Sequence, residues 1–133
     1  MDLIAIGIVE SPLTDRESAP KQGDEGAPEA SIVFDERVAD GLEGIGAGDE
    51  LLVLTWFDRA SRDVLKVFPR GDVGRGEHGV FTTRSPDRPN PIGLHRVKVL
   101  AVDGTRLRVA DLEALDGTPI VDVKPVLGGI DER

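Results

Sequence analysis

The apolar runs of this chain are all short, and most are rich in β-branched residues. They read "LIAIGIV" (3–9), "SIVF" (31–34), "DELLVLTWF" (49–57), "DVLKVF" (63–68), "GLHRVKVLAV" (93–102), "RLRVADL" (106–112) and "PIVDVKPVL" (119–127). Turn residues or charges close each one. No stretch sustains a helical period, and no 20-to-50-residue repeat recurs. Short strands at such spacing point to a mainly all-β chain, a small closed or nearly closed β-barrel. The length suits one domain over 1–133. One short helical segment is expected in "DERVADGLEGI" (35–45). "DVLKVF" is expected to return along "DELLVLTWF" as a hairpin arm across the charged turn "DRASR" (58–62), and "HGVFTT" (78–83) to be a strand. Asp103-Gly104 signals a second hairpin.

Between these runs lie polar, proline-bearing loops. Residues 10–30, "ESPLTDRESAPKQGDEGAPEA", form one loop longer than the roughly 12–15 residues that compact domains usually leave unstructured. The glycine-rich "GIGAGDE" (44–50) precedes a strand and lacks Lys-Ser/Thr, so it reads as a turn rather than a phosphate loop. "GVFTTRSPDRPNPIG" (79–93) is the most constrained segment. Pro86, Pro89 and Pro91 fix φ and remove three backbone donors, and Ser85, Arg88 and Asn90 are pushed to extended conformations. Rigidity before binding lowers the entropic cost of a ligand. Arg84 and Arg88 offer planar donor forks to a carboxylate, a phosphate or a base edge. The same segment also suits a stiff crossover whose arginines pair with acids. In "DGTPIVDVKP" (116–125), Asp122 and Lys124 share one face of a strand, either as a surface ion pair or bracketing a site.

Charge is unevenly spread. Residues 1–58 carry 14 acids and 3 bases, residues 59–108 carry 5 acids and 11 bases, and the chain totals −9. An acidic chain is a poor non-specific binder of nucleic acid, yet the basic middle allows a local phosphate-facing surface. Its candidates are Arg59, Arg62, Lys66, Arg70, Arg75, Arg88, Arg96 and Lys98. The absence of cysteine removes disulfides and thiolate metal sites. His78 and His95 are too few for a histidine metal site without carboxylates, so no metal is expected. No basic n-region opens the chain and no apolar run approaches the roughly 18 to 20 residues of a membrane span. The expectation is a cytoplasmic protein without a membrane partner.

"IGIVESP", "PKQG", "GVFTTRSPDRPNPIGLHRV" and "DGTPIVDVKP", in this order from about Ile6 to Pro125, resemble the TrmO/TsaA-like family of methyltransferases. That resemblance implies a compact β-barrel that binds S-adenosylmethionine, forms homodimers with the cofactor near the subunit interface, and methylates N6 of threonylcarbamoyladenosine beside the tRNA anticodon. Carried over residue by residue, it implies a cofactor site of Pro20, Lys21, Gln22, Trp56, Phe57, Asp58, Arg84, Leu94, Asp116, Gly117, Thr118 and Pro119. Arg84 is the natural partner for the methionine carboxylate, and Leu94 an apolar wall for the adenine. Arg88, Asn90 and Lys124 are the substrate-facing candidates. This chain departs from the family pattern at Lys21, where Arg is usual, at Asp87, where an aromatic is common, and at His95, where Ser is frequent.

Methyl transfer from a sulfonium is an in-line displacement, governed mainly by alignment of donor and acceptor. An amide-like acceptor nitrogen must also lose a proton, which needs a base. Asp122 by position and His95 by chemistry are the candidates, each with an equally good structural role. A small-molecule methyltransferase and a non-catalytic cofactor-binding module are the alternatives on the same fold.

Overall fold

The computed structural model describes residues 1–14, 29–68, 74 and 76–128. Its strands are β1 (Gly7–Glu10), β2 (Ala30–Phe34), β3 (Glu50–Trp56), β4 (Lys66–Val67), β5 (His78–Gly79), β6 (Ile92–Asp103), β7 (Arg106–Ala110) and β8 (Pro119–Pro125). Two short 3₁₀ segments, η1 (Glu36–Leu42) and η2 (Val80–Thr82), complete the described elements. The fold is mainly β, as the short alternating runs imply. Six strands close into a barrel in the order β1–β2–β7–β6–β3–β8, through antiparallel pairs that include the β1–β8 seam.

Alternation decides which side chains enter the barrel. Leu51, Val53 and Thr55 of β3 point in, as do Gly93, His95, Val97 and Val99 of β6. With Ile32, Leu107 and Ile120 they pack a core free of solvent contact at most positions. Two register shifts, one on β6 between Val99 and Ala101 and one on β8 opposite Leu54–Thr55, bend the strands around the barrel. Gly104 takes φ 59 in the β6–β7 hairpin, a conformation open to glycine. The Asp35 carboxylate caps η1 by accepting from Arg37 N at 2.9 Å. Val38, Leu42 and Ile45 pack against the core from that end.

Two local expectations are corrected. "DVLKVF" does not return along β3, because both edges of β3 are taken, by β6 and by β8. Only Lys66–Val67 is strand, and it pairs with β5 in a separate two-stranded ribbon. "HGVFTT" is strand for two residues and then coils into η2. There Thr82 and Thr83 hydroxyls donate back to Gly79 and Val80 carbonyls at 2.7 and 3.0 Å. The strand at the N-terminus begins only at Gly7, with Leu3 and Ile4 exposed.

Candidate functional site

The barrel wall has a slit. The ladder between β6 and β7 begins at Lys98, so residues 92–97 pair with β3 alone. β7 stops at Ala110 because Asp111 adopts φ 68, a left-handed conformation that Asp tolerates better than most residues. The chain then turns inward and buries Leu112 and Ala114. Between the uncovered half of β6 and residues 111–113 runs a cleft of about 680 Å³. Because an open strand edge exposes both its faces, inward His95 and outward Leu94 both line it, together with Phe57, Arg84 and Arg88.

The proline-rich loop forms one rim of this cleft, and Arg88 holds it in shape. Its guanidinium donates to the Thr83 carbonyl at 3.0 Å, to Ser85 O at 3.1 Å and to Val80 O. Outside a strand ladder, Thr83 O and Ser85 O need a donor from elsewhere; one arginine fork supplies both and adds to the Thr83 donors already on Val80 O. The turn after β3 is laced to the same loop. Ser61 N donates to the Asp87 carboxylate at 2.9 Å, Arg88 N to Ser61 O at 3.0 Å, and Phe57 N to Pro91 O at 2.8 Å. Arg62 donates to Pro89 O at 2.8 Å and to Asn90 Oδ1 at 2.9 Å, with its guanidinium carbon 5.1 Å from the Trp56 ring centre. Asp87, one of the departures from the family pattern, thus ties two loops together. The Arg84 side chain, by contrast, is exposed on the cleft and makes no hydrogen bond or ion pair among the described residues.

The floor is a nested group of four residues. Thr55 Oγ1 lies 2.8 Å from His95 Nε2, and the Phe57 ring stands edge-on to the imidazole at 5.7 Å. Gly93 is required beneath them: a Cβ there would sit 2.4 Å from both Phe57 Cζ and Thr55 Oγ1. Burial pushes the His95 pKa down from 6.5 to about 4, so the ring is neutral near pH 7.

The other sequence candidates fall elsewhere. The Asp116–Pro119 turn lies beside a second cleft that includes Ser11, Glu29 and Arg108. It is pinned by Ser11 N to Asp116 Oδ1 at 3.0 Å and Asp116 N to Leu13 O at 2.7 Å. Thr118 is buried, its hydroxyl donating to Leu115 O at 2.7 Å. Arg59, next to the exposed Asp58, donates to Thr14 O at 3.1 Å and to Asp116 O at 3.5 Å, which links this turn to the end of β3. Asp122 and Lys124 line a third cleft, under η1, and pair with each other at 3.1 Å. Asp122 Oδ1 also accepts from Val123 N at 2.9 Å. Pro20, Lys21 and Gln22 lie outside the described residues. Thr55 escaped the sequence reading although its signal was present: it is the one polar side chain at an inward position of β3.

Residues 8–132 match the model of the tRNA-methyltransferase O N-terminal domain. The chain belongs to that family. Among relatives of this tRNA-methyltransferase O N-terminal domain, an S-adenosyl-L-methionine-binding protein of Archaeoglobus fulgidus is 47% identical over 131 residues, covering 98% of this chain and 93% of that one. A probable S-adenosyl-L-methionine-binding protein of Methanothermobacter thermautotrophicus is 43% identical, covering 95% and 90%. The crystal structure of TrmO from Pseudomonas aeruginosa superposes with a TM-score of 0.79 at 26% identity over the whole of this chain. The chain spans 58% of that TrmO chain and 35% of a second, longer A. fulgidus relative. Among the described residues no helix is long and apolar enough to cross a membrane.

Proposed function

We propose that this chain binds S-adenosylmethionine in the β6 slit and acts as a tRNA methyltransferase, with N6 of threonylcarbamoyladenosine as acceptor. The single observation that carries the cofactor reading is the guanidinium of Arg84, without a partner among the described residues, on a cleft of ligand size. The neighbouring Arg62 and Arg88 are consumed by loop carbonyls; Arg84 alone of the three keeps its fork for a carboxylate. Phe57, Ile92 and Leu94 supply apolar surface beside it, which fits an adenosine bearing an amino-acid tail. Bound there, the cofactor supplies an electrophilic methyl group on a sulfonium. The protein's own work is then alignment and exclusion of water by a loop that needs no ordering. The Asp116–Pro119 turn, beside the separate cleft that includes Ser11 and Arg108, stands apart from the slit. Asp122, bonded to Lys124 and to its own strand, serves structure better than proton removal.

Exposed Phe81, Ile92 and Leu94 beside the cleft support a homodimer that covers them, and a cytoplasmic location follows from the tRNA substrate. Sedimentation over a range of concentrations checks the dimer.

A small-molecule acceptor is favoured by one observation. Much of the basic middle segment is already engaged: Arg96 with Glu50 at 2.6 Å, Arg106 with Glu10 at 2.6 Å, Arg108 with Glu29 at 3.7 Å, and Arg59 and Arg62 with backbone carbonyls. Of the eight candidates for a phosphate-facing surface, the side chains of Lys66 and Lys98 have no partner among the described residues, while Arg70 and Arg75 lie outside them.

Calorimetric titration of S-adenosylmethionine and S-adenosylhomocysteine into wild type and Arg84→Ala tests the cofactor. Micromolar-range binding that is lost in Arg84→Ala is expected; retained binding would move the carboxylate elsewhere. Methyl transfer to tRNA with and without the threonylcarbamoyl group then tests the acceptor. A tRNA substrate should weaken steeply with added salt, and a small neutral one should not.

A further inference from the structure

Thr55 has no solvent exposure, and its hydroxyl meets one side-chain partner among the described residues, His95 Nε2 at 2.8 Å. A buried hydroxyl proton needs an acceptor. Were Nε2 protonated, the imidazole would donate to Oγ1 and the Thr55 proton would face dry protein. With Thr55 donating to an unprotonated Nε2, the buried hydroxyl proton has its acceptor. The neutral ring then carries its proton on Nδ1. No buried side-chain nitrogen or oxygen among the described residues lacks a partner, and His95 makes no other hydrogen bond among them. Nδ1, with no partner among the described residues and no place among the buried unpartnered atoms, is the ring nitrogen left for the cleft that His95 lines. The edge-on Phe57 ring and Gly93, whose lack of a Cβ admits Thr55 and Phe57, hold the imidazole in this pose.

We propose that His95, locked in its Nδ1–H form by the Thr55 hydroxyl, donates a hydrogen bond to an uncharged acceptor atom on the heterocycle of the molecule bound in the slit. The ring is neutral and adds no charge, so it complements Arg84 rather than duplicating it: Arg84 takes an anionic group, and His95 a ring nitrogen or carbonyl oxygen. Burial keeps it neutral well below pH 7. With Nε2 occupied and Nδ1 protonated, His95 reads the ligand rather than removing a proton from it. This inference rests on the S-adenosylmethionine reading of the cleft.

The test uses ¹⁵N-imidazole NMR of the full chain, whose two histidines are His78 and His95, with S-adenosylhomocysteine as the probe. For free wild type the expected His95 pattern is a protonated-type Nδ1 and a lone-pair-type Nε2, with Nδ1 shifting on saturation. Thr55→Val, close in volume, should release the lock, mix the tautomers and weaken binding. His95→Ala should bind roughly three- to tenfold more weakly, the loss of one neutral hydrogen bond. His95→Asn, whose amide can place a donor near the Nδ1 position, should recover most of that loss. If His95→Ala does not fold, Thr55→Val with its imidazole spectrum carries the test. A protonated Nε2 in free wild type overturns the proposal. So does a wild type that binds the probe with both nitrogens unmoved, or with Thr55→Val binding as tightly. Those outcomes leave the cofactor reading standing. Failure of wild type to bind either S-adenosylhomocysteine or S-adenosylmethionine sinks the cofactor reading itself and removes this donor's ligand with it.

Discussion

The two halves of β6 have the same alternation and opposite fates. From Lys98 to Asp103 the strand is covered by β7 and forms ordinary barrel wall. From Ile92 to Val97 it has β3 on one side and the cleft on the other. Val97 and Val99, on the open and the covered side of that divide respectively, are both almost fully buried; the inward positions before them are Gly93 and His95. The difference teaches that the opening is made by withdrawing one neighbouring strand, not by altering the strand that lines it. Asp111 does the withdrawing, and the polar floor of Thr55 and His95 occupies the part of the interior thereby brought near solvent.

The sharpest way to break this contrast is at its floor. Gly93→Ala is expected to cost about 2 to 3 kcal/mol, because the added methyl overlaps Phe57 and Thr55. Denaturant unfolding measures it, and a cost near zero would mean the floor repacks freely. The His95 titration has a comparable ceiling. Its folded pKa of about 4 lies below the ordinary 6.5. Between those values the unfolded chain binds a proton that the native chain refuses. Stability from this group is thus intact above about pH 6.5 and falls as pH drops toward 4, by about 3 kcal/mol at most. The difference between wild type and His95→Asn across that window isolates it from the carboxylates.

Arg88→Ala should cost about 2 kcal/mol, since three loop carbonyls lose a charged donor. Faster amide exchange confined to residues 80–90 would locate the damage. The smallest effect is at the divide itself. Asp111→Gly relieves a left-handed φ and is expected to change stability by less than about 1 kcal/mol, in the stabilising direction. A clear destabilisation would show that the carboxylate, not the backbone turn, keeps the slit open.

The barrel strands, the half-buried face of β6, the short helical segment and the Asp103-Gly104 hairpin were legible in the sequence. Each is governed by neighbours a few residues apart: alternation selects the buried side. Arg84 and Arg88 show where that legibility ends. They stand four residues apart in one motif with the same side chain, yet one is spent on the carbonyls of its own loop and the other is exposed on the cleft. Which arginine meets a carbonyl depends on η2 and on the Ser61 turn folded against it, 26 residues away at Asp87. The same holds for "DVLKVF", a good strand by pattern that found both edges of β3 already taken. The basic middle of the chain likewise looked like a phosphate-facing surface until barrel closure brought Glu10 to Arg106 and Glu50 to Arg96. Local geometry and hydrophobic period are properties of the chain. Strand partners, free donors and the position of the slit belong to the closed barrel, because they follow from contacts between residues that the sequence keeps far apart.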